Sequence, residues 1–342
     1  MNNKWQGITK KVFVIAELSA NHNNDFDLAV KTIQAMAASG ADAIKIQTYT
    51  ADSLTLKANN EFFGPRKEGL WKGLTPYDVF SEGSMPYEWQ PKLKMVAEDL
   101  GLIFFSSPFD KAGVDFLESM DVPLYKVASL EINDIPLIRH IISKGKPIIF
   151  STGAASFSDI EKIVKLCRDN GNHEIALLKC TSEYPSTVEA ANLMTIPDMQ
   201  KTFQVTVGVS DHTMGAIVPV VAVALGAKIV EKHFILDRSL GGPDSAFSME
   251  PKEFRLMVQQ IREAEKAMGT VDYTLKEKDR LRRRSLFVCR DIKKNEPLNL
   301  QNIRSVRPGH GLAPECLDDV LGMLAVEDMK AGTPLSFEKI KK

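Results

Sequence analysis

The stretches Val205-Thr206-Val207-Gly208-Val209-Ser210-Asp211-His212 and Lys228-Ile229-Val230-Glu231-Lys232-His233-Phe234 decide the reading of the fold. Each is a short apolar, β-branched run that ends in polar and ionisable residues, and a longer segment separates the two. That is the pattern of parallel strands joined by a helix packed outside the sheet. Working back toward the N-terminus, similar runs occupy 12–17, 43–48, 102–106, 124–128, 147–151 and 175–180, which with 205–210 and 228–234 makes eight. Eight β/α units predict an α/β fold closed as a TIM (β/α)8 barrel. An open doubly wound sheet alternates in the same way, so the prediction rests on the count. No Gly-x-Gly-x-x-Gly joins the first run to its helix, which argues against dinucleotide binding.

The connecting segments carry helical spacing. Ala29, Ile33, Met36 and Ala37 define a helix over 27–38, and a capping box Ser158-x-x-Glu161 predicts another over 160–168. The last helix is expected to start near Pro251 and bury Phe254, Met257, Val258 and Ile261. One connection, 49–86, is unusually long and holds Phe62, Phe63, Trp71, Tyr77 and Phe80, as loops that serve a site do. The expected domains are a barrel over 1–268, a charged linker over 269–284 and a smaller module over 285–342. Arg280-Leu281-Arg282-Arg283-Arg284 reads as a solvated hinge, because no aromatic residues interleave it. The module is too short for a secure core alone, so it is expected to pack on the barrel or on another subunit.

Composition narrows the function classes. Across 342 residues, 43 Lys+Arg against 44 Asp+Glu leave a net charge of −1, so no global field favours nucleic acid or an anionic membrane. With 44% hydrophobic and 25% charged residues the chain is globular and not disordered. Cys167, Cys180, Cys289 and Cys316 are widely spaced, as reduced thiols are, residues 1–11 contain no signal core, and no segment reaches a membrane span of ~20 apolar residues. A cytoplasmic location is the expectation.

In such a barrel the chemistry sits where strands end. Those ends present Glu17, Lys45, Gln47, Ser106, Ser107, Lys126, Ser129, Ser151, Lys179, Thr181, Ser210, Asp211, His212, Glu231 and His233. Lys45, Lys126, Ser107, Ser129, Ser151 and Ser210 form a set of ammonium and hydroxyl donors suited to a compact anion bearing phosphate and carboxylate. Any single lysine could instead be a strand-end ammonium paired with a carboxylate. His212 and His233, on neighbouring strands, are placed to share one divalent ion, with Asp211, Glu231 and Asp244 as further ligands or orienters. Two nitrogen ligands suit an octahedral Mn²⁺-like ion, with Mg²⁺ or Co²⁺ as alternatives, better than structural zinc. His22 is open to substrate contact, whereas His140 and His173 read as surface residues.

These motifs resemble the sialic acid synthase (N-acetylneuraminate synthase-like) family over nearly the whole chain. Carrying the resemblance are Ala16-Glu17-Leu18-Ser19-Ala20-Asn21-His22-Asn23, Ile44-Lys45-Ile46-Gln47-Thr48, Tyr125-Lys126-Val127-Ala128-Ser129, Val209-Ser210-Asp211-His212-Thr213, Glu231-Lys232-His233-Phe234, Gly242-Pro243-Asp244 and Arg307-Pro308-Gly309-His310-Gly311. The resemblance implies a barrel with a small C-terminal antifreeze-like (SAF, β-clip) domain. It also implies a metal-dependent condensation of phosphoenolpyruvate with an open-chain acetamido sugar and water. Lys45, Ser107, Lys126, Ser129, Ser151 and Ser210 would bind phosphoenolpyruvate; Gln47, Tyr184, Glu231 and Asp244 would contact the sugar; His212 and His233 would hold the metal. Arg307 would reach the active site of a partner in a domain-swapped homodimer. C3 of phosphoenolpyruvate would attack an aldehyde carbon polarised by the metal, and water would add at C2. Glu17 would orient or deprotonate that water before phosphate leaves by C–O cleavage; its alternative role is a salt bridge to Lys45 or Lys126.

Glu17-Leu18-Ser19-Ala20-Asn21 and the long aromatic insertion resemble the pseudaminic acid synthase branch, whose 6-deoxy, diacetamido sugar suits an apolar pocket. The N-acetylneuraminate and legionaminic acid synthases are the alternative branch, and Ser182 stands where neuraminate-forming relatives often carry Asn. A reading from another class is a catalytically silent, carbohydrate-binding protein.

Overall fold

The computed structural model describes residues 11–342, and the chain divides after Gly269 into two compact units. The expectation that the N-terminal residues lack a signal segment falls largely on 1–10, outside the described residues. In the first unit β1 (Phe13–Glu17), β2 (Ala43–Thr48), β3 (Ile103–Pro108), β4 (Tyr125–Val127), β5 (Ile148–Ser151), β6 (Ile175–Cys180), β7 (Thr206–Asp211) and β8 (Ile229–His233) close in sequence order into a parallel barrel. The helices that follow them are α1 (Phe26–Ala38), α2 (Gln90–Asp99), α3 (Lys111–Ser119), α4 (Ile135–Ile142), α5 (Phe157–Asp169), α6 (Thr195–Phe203), α7 (Ile217–Ala224) and α8 (Pro251–Met268).

One helix start differs from the expectation. α5 is capped by Ser156, whose hydroxyl accepts from the Asp159 N–H while the Asp159 carboxylate accepts from the Ser156 N–H. Ser158 lies inside the first turn, because a shorter acid two residues earlier closes the same box.

Strand alternation sorts the side chains into two layers. Outward residues meet the helices in the main core, while Phe13, Ile15, Ala43, Phe105, Leu124, Ile149, Ala176, Leu178 and Ile229 fill the barrel interior. Burying each of the larger ones stabilises the fold by about 1.5–3 kcal/mol. β7 can come close to its neighbours only because residue 208 is glycine: a Cβ there would lie 2.4 Å from the Ile229 carbonyl oxygen and 2.7 Å from Leu178 Cδ2. The apolar filling stops where the next inward position of each strand turns polar.

In the second unit β9 (Ser285–Val288) pairs antiparallel with β10 (Ile303–Val306), and β11 (Leu324–Ala325) with β12 (Ile340–Lys341). Leu286, Val288, Ile292, Leu298, Ile303, Val320 and Leu335 form its core. Within the basic run Arg280 pairs with Glu277, Arg282 with Asp279, and Arg284 donates to the Ser305 carbonyl. Among the described residues no helix is long and apolar enough to cross a membrane.

Candidate active site

Alternation along the strands explains which polar residues gather. Glu17, Lys45, Gln47, Ser107, Lys126, Ser151, Cys180, Ser210, Glu231 and His233 all occupy inward positions at the C-terminal ends of their strands, and His212 continues that row past β7. Register brings them side by side: Glu17 is opposite Lys45 on one flank and His233 on the other, Gln47 is opposite Ser107, and Ser210 is opposite Glu231.

The ends of β1, β2, β7 and β8 form a buried ionic group. Lys45 Nζ lies 3.2 Å from Glu17 Oε2 and 3.3 Å from Glu231 Oε1, and Ser210 Oγ donates to Glu231 Oε1 at 2.9 Å. Gln47 Nε2 donates to Glu17 Oε1 and to Ser19 Oγ, and Ser19 donates in turn to the Asp244 carboxylate. Burial raises the Glu17 carboxyl to about 7, with Lys45 opposing and Glu231 adding to the shift. Burial also works against ionisation of Glu231, but Lys126 and Lys45 hold it below its ordinary value. Across the barrel Lys126 Nζ donates to Ser151 Oγ at 2.6 Å and to the Val127 carbonyl at 3.0 Å; burial brings this ammonium down to about 8. Lys45 is thus paired with two carboxylates, whereas Lys126 is desolvated with only hydroxyl and carbonyl partners, the condition that favours capture of an anion.

The two imidazoles stand with ring centroids 5.3 Å apart. His212 Nδ1 lies 2.9 Å from the Thr181 carbonyl oxygen and donates to it, which leaves the Nε2 lone pair free. His233 Nδ1 has no hydrogen-bond partner and lies 3.9 Å from Asp244 Oδ2. Burial, helped by His212, Lys45 and Lys232, holds His233 neutral well below the ordinary histidine range. Phe247 packs against both rings, and Tyr184 lies 4.5 Å from the His212 ring.

Above this group opens a cavity of 410 Å³. Gln47, Ser129, His233 and Asp244 make its polar side; Leu54, Trp71 and Phe80 from the 49–86 segment make an apolar one. Gln47 links the cavity to the Glu17–Lys45–Glu231 group. Tyr184 lines it as well, and so does Glu131, whose carboxyl burial pushes up to about 7.

Several expectations need correction. Asp211 is no metal ligand or orienter: it points outward, pairs with buried Lys232, and accepts from the N–H and hydroxyl of Thr213. Ser106, also outward, shares a hydrogen bond with Thr48 and donates to the Ile46 carbonyl. At the end of β6 the inward residue is Cys180 and not Lys179 or Thr181; its Sγ is 4.0 Å from His212 Nδ1. His22 is buried against Trp89 and accepts from the Asn24 N–H, away from the cavity. Arg307 stands exposed in the second unit.

Trp71, expected as part of the long aromatic segment, does line the cavity, whereas Ser19, Cys180, Phe247 and Arg66 carry no assigned role in the sequence reading. Counting in twos from Ala176 and Leu178 would have found Cys180; Ser19, in the left-handed region at φ 47°, lies within a resembling motif that gives no sign of its contact with Asp244.

The sequence profile of the NeuB family matches residues 32–273, and that of the SAF domain matches 283–341. The chain is 45% identical to a pseudaminic acid synthase of Campylobacter jejuni over 95% of this chain and 96% of that one. It is 42% identical to a pseudaminic acid synthase of Helicobacter pylori, covering 96% and 98%. A crystal structure of N-acetylneuraminic acid synthetase from Leptospira borgpetersenii in complex with citrate superposes with a TM-score of 0.71 at 31% identity, covering 79% of this chain and 90% of that one. The row of inward-facing residues at the barrel mouth therefore belongs to a member of the NeuB family that carries a C-terminal SAF domain.

Proposed function

We propose that this enzyme condenses phosphoenolpyruvate with 2,4-diacetamido-2,4,6-trideoxy-L-altrose and water, giving pseudaminic acid and phosphate. One observation carries the reading: two desolvated ammonium groups, Lys45 and Lys126, share a single barrel mouth with the His212–His233 pair, beneath a cavity with one polar and one aromatic wall. The similarity to pseudaminic acid synthases along almost the full chain supports the same substrates.

Lys45, Lys126, Ser107, Ser129, Ser151 and Ser210 hold the phosphate and carboxylate of phosphoenolpyruvate, displacing internal contacts such as Lys126–Ser151. Gln47, Tyr184, Glu231 and Asp244 position the sugar so that its aldehyde carbon faces C3. The imidazole pair fits a divalent ion: the Thr181 carbonyl engages only Nδ1 of His212, and His233 Nδ1 is a buried atom without a partner. Among the described residues no three His, Cys, Asp or Glu side chains form a closed site, so the remaining positions fall to water and substrate oxygen, as suits Mn²⁺. When bound, the ion supplies Lewis-acid polarisation of the aldehyde carbonyl. As the C3–C1 bond forms, positive charge develops at C2; Glu17 accepts a proton from the water that adds there, and C–O cleavage releases phosphate. The reaction runs in the cytoplasm, in a domain-swapped homodimer whose exposed Arg307 serves the partner's site.

Purified protein with Mn²⁺, phosphoenolpyruvate and, in parallel, the diacetamido altrose, the legionaminic precursor or N-acetylmannosamine will release phosphate fastest with the first. Fastest release with either other sugar would reassign the substrate; no release with any would leave a binding protein.

A further inference from the structure

The segment between β2 and α2 contributes more than an apolar wall. Arg66 N–H donates to the Leu74 carbonyl and Gly73 N–H donates to the Arg66 carbonyl, each at 2.9 Å, so 66–74 close into a loop with Trp71 near its tip. Trp71 Nε1 donates to the Pro243 carbonyl at 3.2 Å, which fastens this loop beside Asp244. The Arg66 guanidinium lies 4.9 Å from the Trp71 ring centroid, and the Trp71 ring is 6.4 Å from that of Tyr184. Arg66, Trp71 and Tyr184 all line the cavity.

Stacked on the indole, the guanidinium is held in orientation while its edge N–H groups stay available. Among the described residues no carboxylate pairs with it. A planar group with a carbonyl acceptor and a small apolar end suits this arrangement: the carbonyl meets the guanidinium and the methyl rests on the aromatic rings. A hydroxyl satisfies neither requirement as well. The reacting aldehyde belongs at the His212–His233 pair, and Trp71 meets that pair only through Tyr184, so Arg66 and Trp71 face a part of the sugar beyond the aldehyde carbon.

We propose that Arg66 and Trp71 form the specificity site for the distal (C4) acetamido group of the sugar, Arg66 donating to its carbonyl oxygen and Trp71 packing on its amide plane. This rests on the substrate reading above and names the residues that enforce it.

The test uses the full-length enzyme with Mn²⁺ and phosphoenolpyruvate. It compares kcat/KM for the diacetamido altrose with that for its analogue bearing a C4 hydroxyl. Wild-type enzyme should prefer the diacetamido sugar by at least about tenfold, and Arg66→Gln should lower kcat/KM for that sugar by about 10–100-fold. The same variant should change the hydroxyl analogue and the KM for phosphoenolpyruvate by no more than about twofold. Trp71→Phe, which keeps an aromatic face and loses the bond to Pro243, should retain most of the preference, and Trp71→Ala should abolish it. Equal losses for both sugars, or an unchanged preference in Arg66→Gln, would overturn the assignment while leaving the proposed reaction intact. A wild-type enzyme inert toward the diacetamido sugar would remove the substrate reading itself and this inference with it.

Discussion

Lys45 stands directly beside Glu17 in the β1–β2 register, its Nζ 3.2 Å from the Glu17 carboxylate, and both groups are closed off from solvent. The pairing is the salt bridge that competes with a role for Glu17 in moving a proton. The two roles part on substitution. Glu17→Gln keeps the shape and the neighbouring Gln47 contact, so phosphoenolpyruvate affinity should stay within about threefold while kcat falls by about 10²–10⁴-fold. Near-normal kcat, measured by phosphate release under saturating substrates, would leave Glu17 as an ion-pair residue only.

Lys126 is buried with only a hydroxyl and a carbonyl as hydrogen-bond partners. Its folded pKa, about 8, lies below the ordinary 10.5, so the unfolded chain binds more protons between those values. The cost of burial is therefore complete below pH 8, and native stability recovers as pH rises from there toward 10.5. Lys126→Met should raise the stability of the ligand-free enzyme at pH 7 by about 1–3 kcal/mol while weakening phosphoenolpyruvate binding at least about 100-fold. Chemical denaturation and calorimetric titration would report the two effects separately; a destabilised variant would show that the Ser151 and Val127 contacts outweigh desolvation.

His212 and His233 should behave as a pair toward metal. Chelation should abolish phosphate release and Mn²⁺ should restore it. His233→Ala should weaken Mn²⁺ binding, followed by titration calorimetry on the protein without substrate, by about 10–100-fold. Unchanged Mn²⁺ affinity in this variant would place the ion elsewhere.

His22 should set part of the acid limb of stability. Burial lowers its pKa from 6.5 to about 4, so below pH 6.5 the unfolded chain takes up a proton that the folded chain refuses, and stability falls as pH drops through this window. The loss approaches about 3 kcal/mol at pH 4. The urea midpoint of wild type relative to that of His22→Phe should fall as pH drops from 6.5 to 4; parallel curves would mean that His22 titrates normally.

Much of this site was readable in advance. A β-branched run such as Ile229-Val230 marks a strand wherever it occurs, because backbone preference and burial act over a few residues. Counting such runs located the barrel, and their polar ends located Lys45, Lys126, His212 and His233. Burial alone did not reveal which way a side chain faces at a strand end. Asp211 and Lys232 are as buried as Ser210 and Glu231, yet the first pair faces the helices and the second the cavity.

The sequence by itself determined the alternation of strands and helices, the boundary near Gly269 and the chemical character of the barrel mouth, since each depends on local periodicity and residue type. Only the tertiary structure decided that His212 comes within reach of Cys180, that Ser19 joins Gln47 to Asp244, and that Trp71 reaches Pro243 to bring Arg66 over the cavity. Such contacts join residues far apart in the chain. No local preference encodes them, and they appear only when closure of the barrel brings all eight strand ends to one mouth.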